Sequence, residues 1–163
     1  MHTLILTGGG SAGHAVPNLA LIPLLKDRFR LAYIGTAGIE RGLLKNTGVP
    51  FCTIRAAKLV RGSLTKNLTL PFRFLRGIRE AKRALREMRA EAVFSKGGYV
   101  ALPVVFAARS LGIPVISHES DLTPGLANRL AAKKCRAVLT SFPETAAKFR
   151  NGKYVGPPVR REL

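Results

Sequence analysis

The stretch TLILTGGGSAGHAVP, residues 3–17, decides the fold. Five mostly apolar residues run directly into Gly8, Gly9 and Gly10; Ser11, Ala12, Gly13 and His14 follow, and Val16 and Pro17 open a helix. Glycines allow the backbone to approach a ligand closely. A helix N-terminus then offers unpaired N–H groups and a partial positive charge to an anion. A strand, a glycine loop and a helix in that order form the first βα unit of a phosphate-binding sheet.

Outward from this unit, short apolar runs alternate with amphipathic stretches to the end of the chain. The expected strands are 3–7, 31–34, 51–54, 92–95, 113–117, 137–141 and 153–155, and the expected helices are 16–26, 38–47, 70–89, 101–111, 124–134 and 143–149. This alternation predicts an α/β fold, a Rossmann-like, doubly wound parallel sheet. Ligands of such sheets bind beyond the carboxyl ends of the strands. Four segments there carry unusual chemistry: 8–14, 96–99, 118–125 and 156–160.

Gly8, Gly10 and Gly13 fit G-x-G-x-x-G, yet a dinucleotide site also wants an acid at the end of the second strand. That strand ends in Tyr33, Ile34, Gly35 and Thr36, and the nearest acids, Asp27 and Glu40, fall outside it. No Gly-Lys-Ser/Thr triplet exists, so a P-loop is excluded. A sugar-nucleotide or diphosphate cradle remains, beside the plainer reading of a tight turn. His14, at the mouth of the loop, has the chemistry to take a proton. The segment HESDLTPGLAN, 118–128, brings an imidazole, two carboxylates and two hydroxyls to a strand end. Such groups orient or deprotonate a hydroxyl, or Asp121 or Thr123 simply caps the next helix.

Composition narrows the class. Of 163 residues, 27 are Lys or Arg and 9 are Asp or Glu, giving a net charge of +18, while 47% are hydrophobic. This is a globular composition that favours a polyanionic partner. Trp is absent and there are three Tyr, which disfavours a surface of base-stacking aromatics. Cys52 and Cys135 stand far apart with no C-x-x-C partner, so they read as reduced, buried thiols and not as a disulfide or zinc site. The N-terminus has no basic n-region and no signal-peptide apolar run. The longest nearly apolar run, 99–108, is far short of the roughly 18 residues that span a bilayer.

TGGGSAGH at 7–14, SKGGYVALP at 95–103, HESDLTPGLAN at 118–128 and GPPVR at 156–160 resemble, in order and spacing, the motifs of the MurG family. The resemblance covers essentially the whole chain. It implies the N-terminal, acceptor-binding half of a GT-B glycosyltransferase, with 1–156 as the Rossmann-like domain, 157–163 as the start of an interdomain linker, and the C-terminal donor domain absent. The implied reaction is inverting transfer of N-acetylglucosamine from UDP-GlcNAc to lipid I, forming lipid II for peptidoglycan, with no metal or other cofactor. By motif position, Ser11, Ala12 and Gly13 resemble donor-contacting loop residues. His14 resembles the family's histidine, a general base or diphosphate contact, with Glu119 as the second catalytic candidate. Tyr99, His118, Asp121 and Asn128 match polar positions of the cleft, although Asp121 stands where asparagine is common. Arg160 matches an arginine that pairs with donor phosphate, and Pro157 replaces an asparagine beside it.

Half of the net charge lies between residues 55 and 89, where 11 basic residues meet only Glu80 and Glu87. On a helical wheel Phe74, Ile78, Ala81, Leu85 and Met88 make the core stripe. Leu68, Phe72 and Leu75 project to a second side, roughly 100° to 160° away, which continues as Arg79, Lys82, Arg83 and Arg86. An apolar patch followed by cations suits shallow insertion into an anionic leaflet, which predicts a peripheral protein on the cytoplasmic face of the membrane. Alternatives are a related lipid-linked sugar transferase, the membrane subunit of a split enzyme, and a basic nucleic-acid-binding module. No accepted nucleic-acid motif is present, so nucleic acid is not an expected partner.

Overall fold

A computed structural model describes residues 1–58 and 67–157. Seven parallel strands form one sheet: β1 (His2–Thr7), β2 (Phe29–Gly35), β3 (Phe51–Thr53), β4 (Ala92–Ser95), β5 (Val115–Glu119), β6 (Ala137–Thr140) and β7 (Gly152–Tyr154), in the order β3-β2-β1-β4-β5-β6-β7. The helices are α1 (Ala12–Leu25), α2 (Ile39–Leu44), α3 (Leu70–Glu87), α4 (Ala101–Ser110), α5 (Leu126–Ala132) and the short α6 (Pro143–Ala146). The predicted doubly wound α/β sheet is present.

Both faces of the central strands are covered, which is why they read as continuous apolar runs and not as alternating ones. Ile5, Val93 and Val115 face a core shared with Leu85 of α3 and with Val104 and Val105 of α4. Leu6, Leu31 and Tyr33 face the other way, toward Ile22 of α1 and Leu44 of α2. The chain order reverses between β1 and β4. Their register sets Thr7 beside Ser95, so the glycine loop and the 96–99 loop leave the sheet side by side.

Three boundaries differ from expectation in ways that matter. Helix α1 starts at Ala12, not at residue 16, because Ser11 is already the extended N-cap residue. Ala12, Gly13 and His14 therefore belong to its first turn, and Pro17 lies inside the helix, where it cannot donate to the Gly13 carbonyl. Strand β5 runs on to Glu119 because His118 and Glu119 still pair with Leu139 and Thr140 of β6. Helix α3 starts at Leu70, so Leu68 precedes it in a turn and is not on the helical wheel.

Candidate functional site

The loops after β1, β4 and β5 meet at the β1/β4 reversal, where doubly wound sheets bind their ligands. Gly10 and Gly98 allow that meeting. A Cβ on Gly10, at φ +85°, would fall 2.2 Å from the Tyr99 ring. One on Gly98, at φ +80°, would fall 2.3 Å from the Gly9 carbonyl oxygen and 2.8 Å from Cδ2 of His14. Gly9 N–H donates to the Gly97 carbonyl at 3.3 Å, closing the two loops on each other. His14 and Tyr99, far apart in sequence, thus flank one pair of interlocked loops, both half-buried. The first-turn N–H groups of Ala12 and Gly13 have no intrahelical acceptor, and Ser11, Ala12 and Gly13 are all exposed.

Beneath the loop lies a polar network that single-residue reading of the sequence missed. The Tyr33 hydroxyl donates to the Gly8 carbonyl at 2.5 Å, and Asn18 Nδ2 reaches both that hydroxyl, at 3.1 Å, and the Thr7 carbonyl, at 3.2 Å. Burial raises the Tyr33 phenol far above its ordinary range, so it remains a donor. Glu40 is fully buried. Its carboxylate accepts Thr36 N–H at 2.8 Å, Thr36 Oγ at 2.5 Å and Gly10 N–H at 3.4 Å. The acid absent from the end of β2 in sequence thus arrives from α2, but turned inward to hold the loop.

In β5, successive side chains point to opposite faces, which separates His118 from Glu119. Glu119 faces α5, where Asn128 Nδ2 donates to its Oε2 at 2.7 Å, while the Asp121 N–H donates to Oε1 at 3.0 Å. Asn128 Oδ1 in turn accepts Gly98 N–H at 3.1 Å. Glu119 and Asn128 therefore lock the 96–99 loop to β5. Asp121 is exposed, and its carbonyl accepts from the Thr145 hydroxyl at 3.2 Å. The N-cap of α5 is Gly125 with no side-chain cap bond, so neither Asp121 nor Thr123 plays that part. His118 turns to the buried Lys96. Arg160 lies outside the described residues.

Tyr99 also lines a cleft of about 570 Å³ with Thr36 and with Arg55, Arg73 and Arg76. Among the described residues, no group of His, Cys, Asp or Glu could hold a metal ion. Cys52 and Cys135 are free and half-buried, with burial raising both thiols.

A second feature lies along α3. Gly77, Ala81, Ala84 and Leu85 are buried, and Phe74 meets Phe106 of α4 edge-on at 5.5 Å, as the core stripe predicts. Leu68, Phe72 and Leu75 are 71%, 76% and 51% exposed. Arg79, Arg83 and Arg86 are exposed and Lys82 is half-buried. Glu80 and Glu87 are engaged by Arg76 at 3.3 Å and Arg83 at 2.7 Å, so among the described residues Arg79, Lys82 and Arg86 face no carboxylate. No helix among the described residues is long and apolar enough to cross a membrane.

Comparison with known proteins agrees with this fold. The family profile described as the glycosyltransferase family 28 N-terminal domain matches residues 4–140. A UDP-N-acetylglucosamine–N-acetylmuramyl-(pentapeptide) pyrophosphoryl-undecaprenol N-acetylglucosamine transferase of Lachnospira eligens is 48% identical over 167 residues, covering 100% of this chain and 47% of that protein. The transferase of the same name from Clostridium kluyveri is 50% identical with the same coverage. The crystal structure of Acinetobacter baumannii MurG superposes with a TM-score of 0.83 at 29% identity, covering 99% of this chain and 47% of that one. The chain spans about half the length of the curated relatives it matches.

Proposed function

The chain belongs to the glycosyltransferase family 28 N-terminal domain family, and on that premise we propose that it is the acceptor-side half of an inverting transferase. The proposed enzyme moves N-acetylglucosamine from UDP-GlcNAc to lipid I, forming lipid II, at the cytoplasmic face of the membrane. The C-terminal donor half supplies most of the UDP-sugar pocket, and residues 157–163 begin the linker to it. The observation that carries this reading is the convergence of His14, Tyr99 and the exposed first-turn residues Ala12 and Gly13 on one pair of interlocked loops.

In this reading the α1 N-terminus and Ser11, Ala12 and Gly13 cradle a diphosphate. The C4 hydroxyl of the muramyl sugar attacks the anomeric carbon of the donor. The carbon–oxygen bond to UDP breaks with its electron pair on UDP, and His14 receives the hydroxyl proton. Glu119 has both oxygens occupied inside the fold, so it serves as a positioning residue through Asn128 and Gly98. Tyr99 borders the acceptor cleft, and Arg160 pairs with donor phosphate once the linker is in place.

Membrane docking is assigned to α3 and the turn before it. Leu68, Phe72 and Leu75 enter the leaflet interface while Arg79, Lys82, Arg83 and Arg86 meet anionic headgroups. The test is His14→Ala in the chain joined to its donor half. Turnover should fall by at least about 100-fold, the usual scale of a general base, with liposome binding unchanged. Retained turnover removes His14 from the chemistry. The 163-residue chain alone should form no lipid II.

A further inference from the structure

Lys96, His118 and Gly156 form a bonded chain that the proposed transfer step does not use. Lys96 is 1% exposed and is the one buried Lys or Arg among the described residues. A buried ammonium is costly unless its hydrogens are met. Its Nζ lies 3.1 Å from His118 Nδ1 and donates to Ser120 Oγ. On the far side of the ring, His118 Nε2 lies 3.1 Å from the Gly156 carbonyl oxygen.

The proton positions follow from the partners. A carbonyl only accepts, so Nε2 carries the hydrogen; an ammonium only donates, so Nδ1 carries the lone pair. A neutral imidazole in a single tautomer satisfies both contacts. Burial and the adjacent ammonium push His118 down to about 4, consistent with that state. Burial brings Lys96 down to about 8, against the Glu119 and Asp121 carboxylates, which favour its charge.

Each end of the chain is anchored. The Lys96 N–H donates to the Thr7 carbonyl at 2.8 Å. A Cβ on Gly8 would lie 3.0 Å from Lys96 Cβ, so the lysine stem packs on the first residue of the glycine loop. Gly156, at φ +82°, donates its N–H to the Thr140 carbonyl at 3.2 Å and is followed directly by Pro157.

We propose that Lys96 is a positioning residue that ties the glycine loop to the start of the interdomain linker, by locking His118 onto the Gly156 carbonyl. The glycine loop and the chain at Gly156 then hold one another in place. This rests on the reading of residues 157–163 as a linker to a donor half.

The primary test needs only the 163-residue chain. Long-range proton–nitrogen spectra should show His118 in the wild type as one Nε2–H tautomer that does not titrate between pH 5 and 8. A wild-type His118 protonated on Nδ1, or titrating near its ordinary value, overturns the proposal without any variant. In Lys96→Met both tautomers should appear, and Gly156 amide exchange should quicken by about tenfold or more as the local hold is lost. His118→Gln retains a donor for the carbonyl and should keep Gly156 slow. Unchanged tautomer and exchange in Lys96→Met overturn the latch.

In the complete enzyme, Lys96→Met should raise the KM for UDP-GlcNAc by about tenfold, or ~1.4 kcal/mol, with a smaller change in kcat. An unchanged KM with the latch spectroscopically broken overturns the linker role. A complete wild-type enzyme with no transferase activity overturns the functional reading and leaves the latch, which is read in the chain itself, standing.

Discussion

Gly98→Ala is the substitution for which the site geometry makes the sharpest prediction. The new methyl group would sit 2.3 Å from the Gly9 carbonyl oxygen and 2.8 Å from His14 Cδ2, at a φ of +80°. The first neighbour is backbone, so no rotamer change relieves the overlap. Nor is Gly98 free to retreat, because its N–H is held by Asn128 Oδ1 at 3.1 Å and Gly9 N–H is bonded to Gly97 at 3.3 Å. The left-handed conformation costs an alanine about 1–2 kcal/mol and overpacking a further 1–3, so the total is roughly 2–5 kcal/mol.

Gly112→Ala is the internal control. Gly112 has φ +73° with nothing within 4 Å of a Cβ, so it should show the conformational cost alone. The difference between the two variants isolates the loop contact. With no Trp in the chain, the assay is far-UV circular dichroism during urea and thermal unfolding. Gly98→Ala should lower Tm by about 5–15 °C and Gly112→Ala by clearly less. In the complete enzyme only Gly98→Ala should also reduce turnover, because it displaces His14. Equal losses for the two variants would refute the claim that the loops interlock through Gly98.

Other predictions concern charge. Glu40→Ala strips acceptors from Thr36 and Gly10 and should destabilise the chain by about 2–4 kcal/mol in the same unfolding assay; a neutral result would mean that water satisfies the loop equally well. His118, held near 4 in the fold, takes up a proton in the unfolded chain below about 6.5. Stability should therefore fall as pH drops from about 6.5 to 4.5, and His118→Gln should flatten that limb. The exposed Glu91 carboxylate, lowered from its ordinary 4.5 mainly by its hydrogen bond from His2, acts only further down. Replacing Arg79, Lys82 and Arg86 together with Gln should weaken binding to anionic liposomes by about 100-fold, at ~1 kcal/mol per charge, and leave neutral liposomes unaffected. Retention of the wild-type chain on DNA but not on liposomes would refute the membrane assignment.

The fold class was legible from residues 3–17 alone. A β-favouring run that passes into four closely spaced glycines and then a helix has few other packings, and the alternation after it repeats the same unit. The core face of α3 was equally legible, since the 3.6-residue period survives in Phe74, Ile78, Ala81 and Leu85. The motif loops were legible as positions, but the work each side chain does was not. His118 and Glu119 are neighbours in the chain and look like a joint acid–base pair, yet the pleat of β5 sends one to Lys96 and the other to Asn128. Glu40 looked irrelevant because it lies outside β2, yet α2 folds it back under the glycine loop.

By itself, then, the sequence determined the alternation of strands and helices, the parallel class of the sheet and which loops bear chemistry, because those depend on local periodicity and on glycine. Tertiary structure decided which polar groups are spent inside the fold and which remain for a ligand. That depends on burial and on partners 22 to 38 residues away, as with Lys96, His118 and Gly156, and no local pattern encodes such partners.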